Sequence, residues 1–266
     1  MERRILDRYE RLDQLLGTLS REGRIDVQRS VVELGASAAT IRRDLAHLQE
    51  QGLAARIHGG AVATSVSYDL PLRFKTSRFA AQKLAIGKLA AAMVKPGQVV
   101  ALNGGTTTLE VARALATRAD LVDNQRGDGV TVVTNAINIA SELLVRPHLK
   151  VVLTGGVVRA KSFELFGPLA SAVISQLSLD LVFLGVDGLD AQFGASAFSD
   201  AEAQTNAELV KAAAKRVVVA DSSKLGVRAF ARICQTNELH ALITDSHLDR
   251  AVKRRLEDAG VSVKLA

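Results

Sequence analysis

A short capped helix, followed at once by a glycine-rich hairpin, constrains the N-terminal part of this chain more than any other feature. Ile41, Leu45 and Leu48 recur at i, i+4 and i+7, so they share one face of a helix. Ser37 stands before them, where its side chain can cap the first free N–H groups, and Gly52 stands where a helix can end in the left-handed conformation. This spacing predicts a helix that buries one face and exposes the other.

Two more apolar stripes precede that helix and complete a small three-helix core. Asp26 is the expected N-cap of the second helix, and Gly35-Ala36 leaves room only for a tight turn into the third. The segment from Arg56 to Ala61, with Gly59-Gly60 inside it, predicts a tight hairpin after the third helix. The sequence therefore predicts a winged helix-turn-helix. The stripe of the first helix contains Ile5, Tyr9, Leu12, Leu16 and Leu19, and that of the second contains Val27, Val31 and Leu34.

The polar side chains near the start of the third helix point to a nucleic-acid partner. Thr40, Arg42 and Arg43 lie off the apolar stripe, at the end of the helix that enters the major groove in such motifs. Arginine can bind guanine in a bidentate manner or clamp a phosphate. The alternative is an ordinary solvated surface helix. We predict a double-stranded DNA interface formed by Ser37, Ala39, Thr40, Arg42, Arg43, Arg56, His58 and Gly59.

Net charge contributes little to this prediction. The chain carries +6 in total, but residues 1–63 carry only +1, so the placement of the arginines matters more than bulk charge.

One cysteine, Cys234, excludes an intrachain disulfide. The N-terminus lacks the apolar core of a signal peptide, and no run is long enough to span a bilayer. We therefore expect a cytoplasmic, nucleoid-associated protein with no membrane partner.

Strand and helix patterns alternate through the rest of the chain, which favours a mostly parallel sheet covered on both faces. We predict a DNA-binding domain at 1–63, a linker at 64–79 and an α/β domain at 80–266, with a surface loop at 118–129. The predicted strands are 98–102, 130–134, 149–153, 179–186, 216–220, 239–244 and 261–265. The predicted helices are 80–94, 106–117, 135–145 and 201–214, with one more between the last two strands.

One loop of the predicted sheet has the features of an anion site. Glycines and threonines follow a strand and open a helix, so close backbone approach, hydroxyl groups and free helical N–H groups coincide. The alternative is a glycine-rich turn capped by threonine, and the Gly-Lys-Ser/Thr of a Walker loop is absent. The residues are Asn103, Gly104, Gly105, Thr106, Thr107 and Thr108.

Other polar loops are expected at the same edge, because ligands bind at the carboxyl ends of parallel strands. Lys224 can neutralise a phosphate, and Asp187 can accept hydrogen bonds from sugar hydroxyls. Each loop taken alone is also consistent with a simple turn or a helix cap. The predicted additional effector-binding residues are Thr134, Asn135, Gly155, Gly156, Asp187 and Lys224.

The whole chain resembles the DeoR family of bacterial transcription regulators. The resemblance rests on Ser37, on the segment Thr40-Ile41-Arg42-Arg43-Asp44-Leu45, on Leu48 and Gly52-Leu53, and on the segment from Arg56 to Ala61. It implies a winged helix-turn-helix followed by a Rossmann-like effector domain related to ribose-5-phosphate isomerase. It also implies that residues 105–108 hold the phosphate of a phosphorylated sugar, helped by Thr134-Asn135 and Lys224. Asn103 stands where the family often has aspartate, so the identity of the effector does not carry over.

The resemblance also leaves an enzyme as the rival hypothesis. Asp187 and Asp190 resemble the acidic pair of the isomerase, but the following residues 191–198 contain no lysine or arginine. We therefore expect a repressor of a carbohydrate operon with no catalytic residues, no cofactor and no metal site, since the five histidines are scattered. Paired DNA half-sites require paired recognition helices, so we also expect a homo-oligomer.

Overall fold

The computed structural model describes residues 6–63, 72–76, 78–121 and 129–266. The chain divides into two compact units, Met1–Arg78 and Phe79–Ala266. In the described ranges, no helix combines the length and the apolar character that a membrane span requires.

The first unit is a winged helix-turn-helix, as predicted. Three helices pack against a three-stranded antiparallel sheet of order β1-β3-β2, and the short first strand was not expected from the sequence. The predicted caps are present, since Asp26 accepts the N–H of Arg29 and Ser37 accepts the N–H of Thr40. The elements are α1 (Arg8–Glu22), β1 (Arg24–Asp26), α2 (Val27–Leu34), α3 (Ala38–Glu50), β2 (Ala54–Ile57), β3 (Gly60–Ala63) and α4 (Leu72–Lys75).

A buried ion pair orients α3 on α1. Asp44 is 2% exposed, and Arg11 Nε on α1 donates to its Oδ2 at 2.5 Å. The predicted stripe Ile41, Leu45 and Leu48 is buried around it and packs on the leucines of α1. Because a buried carboxylate requires a charged partner, this pair holds the rotation of α3 about its axis.

The hairpin of β2 and β3 lies close against β1. A Cβ atom on Gly60 would lie 1.9 Å from the carbonyl oxygen of Ile25, so only glycine permits this approach. Gly59 has φ of +79° and its carbonyl accepts the N–H of Val27 at 2.9 Å. These contacts fasten the hairpin to the start of α2.

The second unit is built around a seven-stranded parallel sheet of order β15-β14-β12-β9-β4-β5-β6. Side chains alternate between its faces, so that Val100 and Leu102 join the core under α5, α6 and α7 while Ala101 joins the core under α8 and α9. The elements are α5 (Ala80–Ala91), β4 (Val99–Leu102), α6 (Thr106–Ala116), β5 (Val130–Thr134), α7 (Ile137–Leu143), β6 (Leu149–Leu153), β7 (Val157–Arg159), β8 (Glu164–Phe166), α8 (Pro168–Ile174), β9 (Leu179–Leu184), β10 (Gly188–Asp190), β11 (Gly194–Ala197), α9 (Asp200–Ala212), β12 (Ala213–Val219), β13 (Ala231–Cys234), β14 (Ala241–Thr244), α10 (Arg250–Asp258) and β15 (Ser262–Leu265).

All seven predicted strands are present, with ends that move by up to three residues. Elements that the sequence analysis missed are the antiparallel hairpin of β7 and β8, the seven-residue helix α8, and the small antiparallel sheet of β10, β11 and β13. These segments are too short to show a clear periodicity.

Parts of the predicted linker and loop lie outside the described residues. These are residues 64–71 and 77 of the linker, residues 122–128 of the loop, and Ile5 of the first helix. Within the predicted linker, Leu72–Lys75 forms one helical turn. Ala119–Leu121 forms a 3₁₀ turn at the start of the predicted loop.

Candidate functional site

The start of α3 presents two uncommitted guanidinium groups. Arg42 and Arg43 are exposed, and neither forms a hydrogen bond or an ion pair with any described residue. Asp44, the next residue, turns instead to the core and pairs with Arg11. The helical rotation that buries Asp44 therefore leaves the two arginines before it on the outside.

The other predicted interface residues of this unit also lie at its surface. Thr40 is half-buried, and its hydroxyl lies 2.9 Å from the hydroxyl of Ser37, so it takes part in the helix cap. The exposed members are Ser37, Ala39, Arg56, His58 and Gly59.

In the second unit, the strand order reverses between β4 and β9, and Asn103 joins these two strands just beyond their carboxyl ends. Its Nδ2 donates to the carbonyl oxygen of Gly185 at 3.0 Å, and its Oδ1 accepts the N–H of Gly185 at 2.7 Å. Asn103 is 2% exposed. Its amide is thus occupied by the fold, which differs from the ligand-donor role expected from the sequence.

The first turn of α6 carries free donors at this switch point. The N–H groups of Thr106, Thr107 and Thr108 form no hydrogen bond within the described part of the chain, and no side chain caps the helix. The Thr108 hydroxyl donates to the carbonyl oxygen of Gly105 at 3.1 Å. Free N–H groups and the helix dipole together favour an anion at this position.

A carboxyl group lies directly behind these donors. Glu164 of β8 is 4% exposed, and its Oε1 accepts the N–H of Gly104 at 2.9 Å. Burial raises the pKa of Glu164 well above its ordinary value of 4.5, and the neighbouring Glu202 carboxyl raises it further. Glu202 Oε1 in turn accepts from Arg159 Nη1 at 3.0 Å and from the Ser162 hydroxyl at 2.5 Å.

The end of β5 approaches the same carboxyl. Register pairs Thr134 with Leu102, so Asn135 lies beside the loop that follows β4. Asn135 is fully buried, and its Nδ2 donates to the carbonyl oxygen of Leu165 and lies 3.4 Å from Glu164 Oε1. The Thr134 hydroxyl accepts the N–H of Ala136, so it supports the loop.

The remaining predicted residues lie farther along the edge. Gly155 and Gly156 follow β6. A Cβ atom on Gly156 would lie 2.7 Å from the carbonyl oxygen of Phe166, so a glycine at this position allows β8 to pack closely against the chain. Asp187 is half-buried and accepts the N–H of Phe198. Lys224 is half-buried after β12, two strands from β4. The structure thus brings together the ends of β4, β5 and β9, with Lys224 more distant.

The residues that sequence reasoning missed are Glu164 and Glu202 with their partners Arg159 and Ser162. Neither glutamate stands in a recognisable motif. The one available signal was a lone acidic residue inside the apolar segment Phe163-Glu164-Leu165-Phe166, because an isolated carboxyl among apolar residues requires a partner.

Comparison with known proteins agrees with both units. Residues 11–66 match the model of the DeoR-like helix-turn-helix domain, and residues 78–246 match the model of the DeoR C terminal sensor domain. The chain belongs to the DeoR family of transcriptional regulators. The family resemblance and the α/β fold with an N-terminal winged helix-turn-helix are thereby confirmed.

Relatives within the DeoR family match this chain along most of its length. The HTH-type transcriptional regulator GlpR of Haloferax volcanii is 39% identical over 231 residues, which cover 86% of this chain and 87% of the relative. The glycerol-3-phosphate regulon repressor of Escherichia coli K12 is 28% identical over a stretch that covers 96% of this chain and 98% of the relative.

Among solved structures, ribose 5-phosphate isomerase A of Methanocaldococcus jannaschii matches with a TM-score of 0.39 and 18% identity, covering 53% of this chain and 52% of its own.

The raised pKa of Glu164 predicts a pH dependence of stability that Glu164→Gln removes. The unfolded chain loses the Glu164 proton as pH rises through about 4.5, while the folded chain keeps it. Each pH unit in that window costs the wild type about 1.4 kcal/mol of unfolding free energy at 25 °C. We expect wild type to lose stability relative to Glu164→Gln as pH rises from 4.5.

Urea unfolding of both proteins at several pH values between 4 and 9 measures this difference. A free-energy difference between the two proteins that is constant over this range, or that grows in favour of wild type, would contradict the assignment of a proton to Glu164.

Proposed function

We propose that this DeoR-family chain is a repressor of a carbohydrate catabolic operon, and that a phosphorylated sugar or related metabolite modulates its hold on operator DNA. One observation carries the proposal: Arg42 and Arg43 are exposed at the start of α3 without a partner among the described residues. An arginine pair that faced inward or was bound to its own carboxylates would have no route to a duplex.

The start of α3 is the proposed element for the major groove. Arg42 and Arg43 supply bidentate contacts to guanine or phosphate, and Thr40 lies beside them. Arg56, His58 and Gly59 of the hairpin, together with Ser37 and Ala39, complete the proposed interface. The buried Arg11–Asp44 pair supports this role because it holds α3 in one rotation.

The carboxyl ends of β4, β5 and β9 are the proposed effector site. The free N–H groups at the start of α6 receive a phosphate, each favourable helix-dipole interaction contributing about 0.3–1 kcal/mol at an exposed site and more when partly buried. Asn135, Asp187 and Lys224 line the proposed pocket farther out. Asn103 and Thr134 support its loops, and Gly155 and Gly156 border it. The repressor of a glycerol-3-phosphate regulon among the relatives supports a phosphorylated compound.

The rival hypothesis, a sugar-phosphate isomerase, receives no support from Asp190, one member of the acidic pair. The Asp190 carboxylate accepts the N–H groups of Gln192 and Phe193 and pairs with Arg228 at 2.9 Å. Although burial opposes them, these contacts hold the pKa of Asp190 below its ordinary value. A general base for sugar chemistry requires a pKa near the working pH, so this carboxylate is poorly suited to the task.

Release from DNA is proposed to pass through the oligomer. A homo-oligomer pairs the recognition helices on two half-sites, and the effector favours an arrangement that spaces them wrongly. A shift from almost all bound to almost all free requires roughly 5 kcal/mol of difference in effector affinity between the two arrangements.

We place the protein in the cytoplasm, on the nucleoid.

Replacing both arginines should weaken DNA binding with little effect on the fold. We expect Arg42→Ala with Arg43→Ala to lower the affinity for the gene's own upstream DNA by at least about tenfold at equal salt, because two groove or phosphate contacts are lost. Gel-shift titration of the purified full chain measures the effect.

Arg254→Ala with Arg255→Ala is the matched control. It removes the same charge from an adjacent exposed pair on α10 of the other unit. Equal binding by wild type and by the Arg42 and Arg43 double variant would show that the interface is assigned to the wrong residues. A similar loss in the control would show that bulk charge, not placement, governs binding.

A phosphorylated ligand should raise the melting temperature of the full chain. At a concentration of about 100 times Kd a ligand adds about 2.7 kcal/mol, which corresponds to roughly 5–10 °C for a unit of this size. Differential scanning fluorimetry against a panel of sugar phosphates and the matching free sugars measures the shift. Stabilisation by free sugars and by no phosphorylated compound would refute the phosphate site.

Thr106→Pro tests whether the thermal shift comes from binding at the start of α6. Thr106 is the first residue of α6, where proline fits a helix and removes one free N–H, as Pro168 already does at the start of α8. We expect a reduced ligand shift in this variant. Arg250→Pro, the same change at the start of α10, should leave the ligand shift unaltered.

A further inference from the structure

A buried carboxyl group from another part of the chain lies against the proposed phosphate loop. Glu164 belongs to the β7–β8 hairpin, 60 residues from the loop in sequence, yet its Oε1 accepts the N–H of Gly104 at 2.9 Å. A Cβ atom on Gly104 would lie 2.2 Å from Glu164 Cγ, so the carboxyl group occupies the space that any other residue at position 104 would fill.

We propose that Glu164 is the positioning residue of the phosphate site, acting as an uncharged hydrogen-bond acceptor behind the loop; this inference rests on the proposed function. By accepting the N–H of Gly104, Glu164 holds that peptide turned inward. The next donors along the chain, the N–H groups of Thr106, Thr107 and Thr108, are then left for the ligand.

The surroundings of Glu164 support an uncharged carboxyl. Glu164 is 4% exposed and forms no ion pair with any described residue, whereas a buried carboxylate requires a charged partner; the ionisable group beside it is another carboxyl, Glu202. Asn135 Oδ1 is buried without a donor among the described residues, although its amide nitrogen lies 3.4 Å from Glu164 Oε1. The Asn135 amide, whose nitrogen also donates to the carbonyl oxygen of Leu165, is an uncharged neighbour and supplies no cation to balance a negative charge on Glu164.

The charges around Glu164 are arranged so that the proton stays with it. Glu202 on α9 is bound to Arg159 of β7 and to the Ser162 hydroxyl, contacts that stabilise a negative charge there. The loops after β4 and β5 offer Gly104 and Asn135, which are uncharged, and α8 has no ionisable side chain. Burial raises the pKa of Glu164 and Glu202 raises it further, which outweighs the lowering by the Gly104 N–H and by Ser162, so Glu164 itself places no negative charge against a phosphate dianion bound beyond Gly104.

Two variants of equal length separate the acceptor from the charge. Glu164→Gln keeps an acceptor for Gly104 and is neutral, whereas Glu164→Met fills the space without an acceptor. Binding of inorganic phosphate to the full chain is measured by calorimetry between pH 6 and 9. We expect Glu164→Gln to bind at least as tightly as wild type at every pH, and Glu164→Met to bind at least tenfold more weakly.

The matched control is Asp180 of β9, which contacts β4 at the end opposite to the loop. The exposed Asp180 accepts through Oδ2 the N–H of Val99, the first residue of β4, at 2.8 Å, so Asp180→Ala removes an acidic acceptor of a β4 N–H away from the loop. It should leave phosphate affinity unchanged. Gly104→Ala, which displaces the carboxyl, should lose binding as Glu164→Met does, and it serves if the methionine variant fails to fold.

The outcomes separate this inference from the proposed function. Weaker binding by Glu164→Gln than by wild type overturns the uncharged acceptor, and full binding by Glu164→Met or by Gly104→Ala overturns the positioning role. Either result leaves the phosphate site standing if wild type binds phosphate. No phosphate binding by wild type overturns the phosphate site, and this inference with it.

Discussion

The double hydrogen bond between Asn103 and Gly185 is the interaction on which the arrangement of the loops at the carboxyl ends of β4 and β9 depends. In a parallel sheet with helices on both faces the strand order reverses at a switch point, and here β4 is followed first by β5 on one side and later by β9 on the other. Two adjacent strands at such a point have loops that leave in opposite directions and open a crevice. The Asn103 amide closes the base of that crevice, so the free N–H groups of α6 face a defined space.

Two buried glutamates, Glu164 and Glu202, lie behind the loop that borders the crevice, and the cationic partner Arg159 belongs to the one farther from it. Glu164 meets the loop, and Glu202 meets Arg159 and Ser162 one layer farther back. Low-dielectric surroundings make a second negative charge costly, so burial raises the pKa of Glu164 and favours its uncharged form. A site for anions can therefore be built next to acidic side chains, provided that the carboxyl nearest the ligand is the neutral one.

Local patterns in the sequence were enough to predict the helices of the first unit and the strands of the large sheet. The stripe of Ile41, Leu45 and Leu48 is buried as the spacing indicated, and Ser37 caps α3. Contacts between distant segments could not be predicted in this way. Asn103 and Gly185 are 82 residues apart, so the amide of Asn103 could be read only as a possible ligand donor. Glu164 has no motif at all, and the hairpin that carries it is too short to show a period.

The most direct test of the account joins the two units in one measurement. Fluorescence anisotropy of labelled upstream DNA, titrated with the full chain, is recorded with and without a saturating phosphorylated compound that binds the protein. We predict that the compound lowers DNA affinity by at least about tenfold, and that DNA lowers the affinity for the compound by the same factor, because linkage is reciprocal. A compound that binds tightly and leaves the DNA titration unchanged would contradict it.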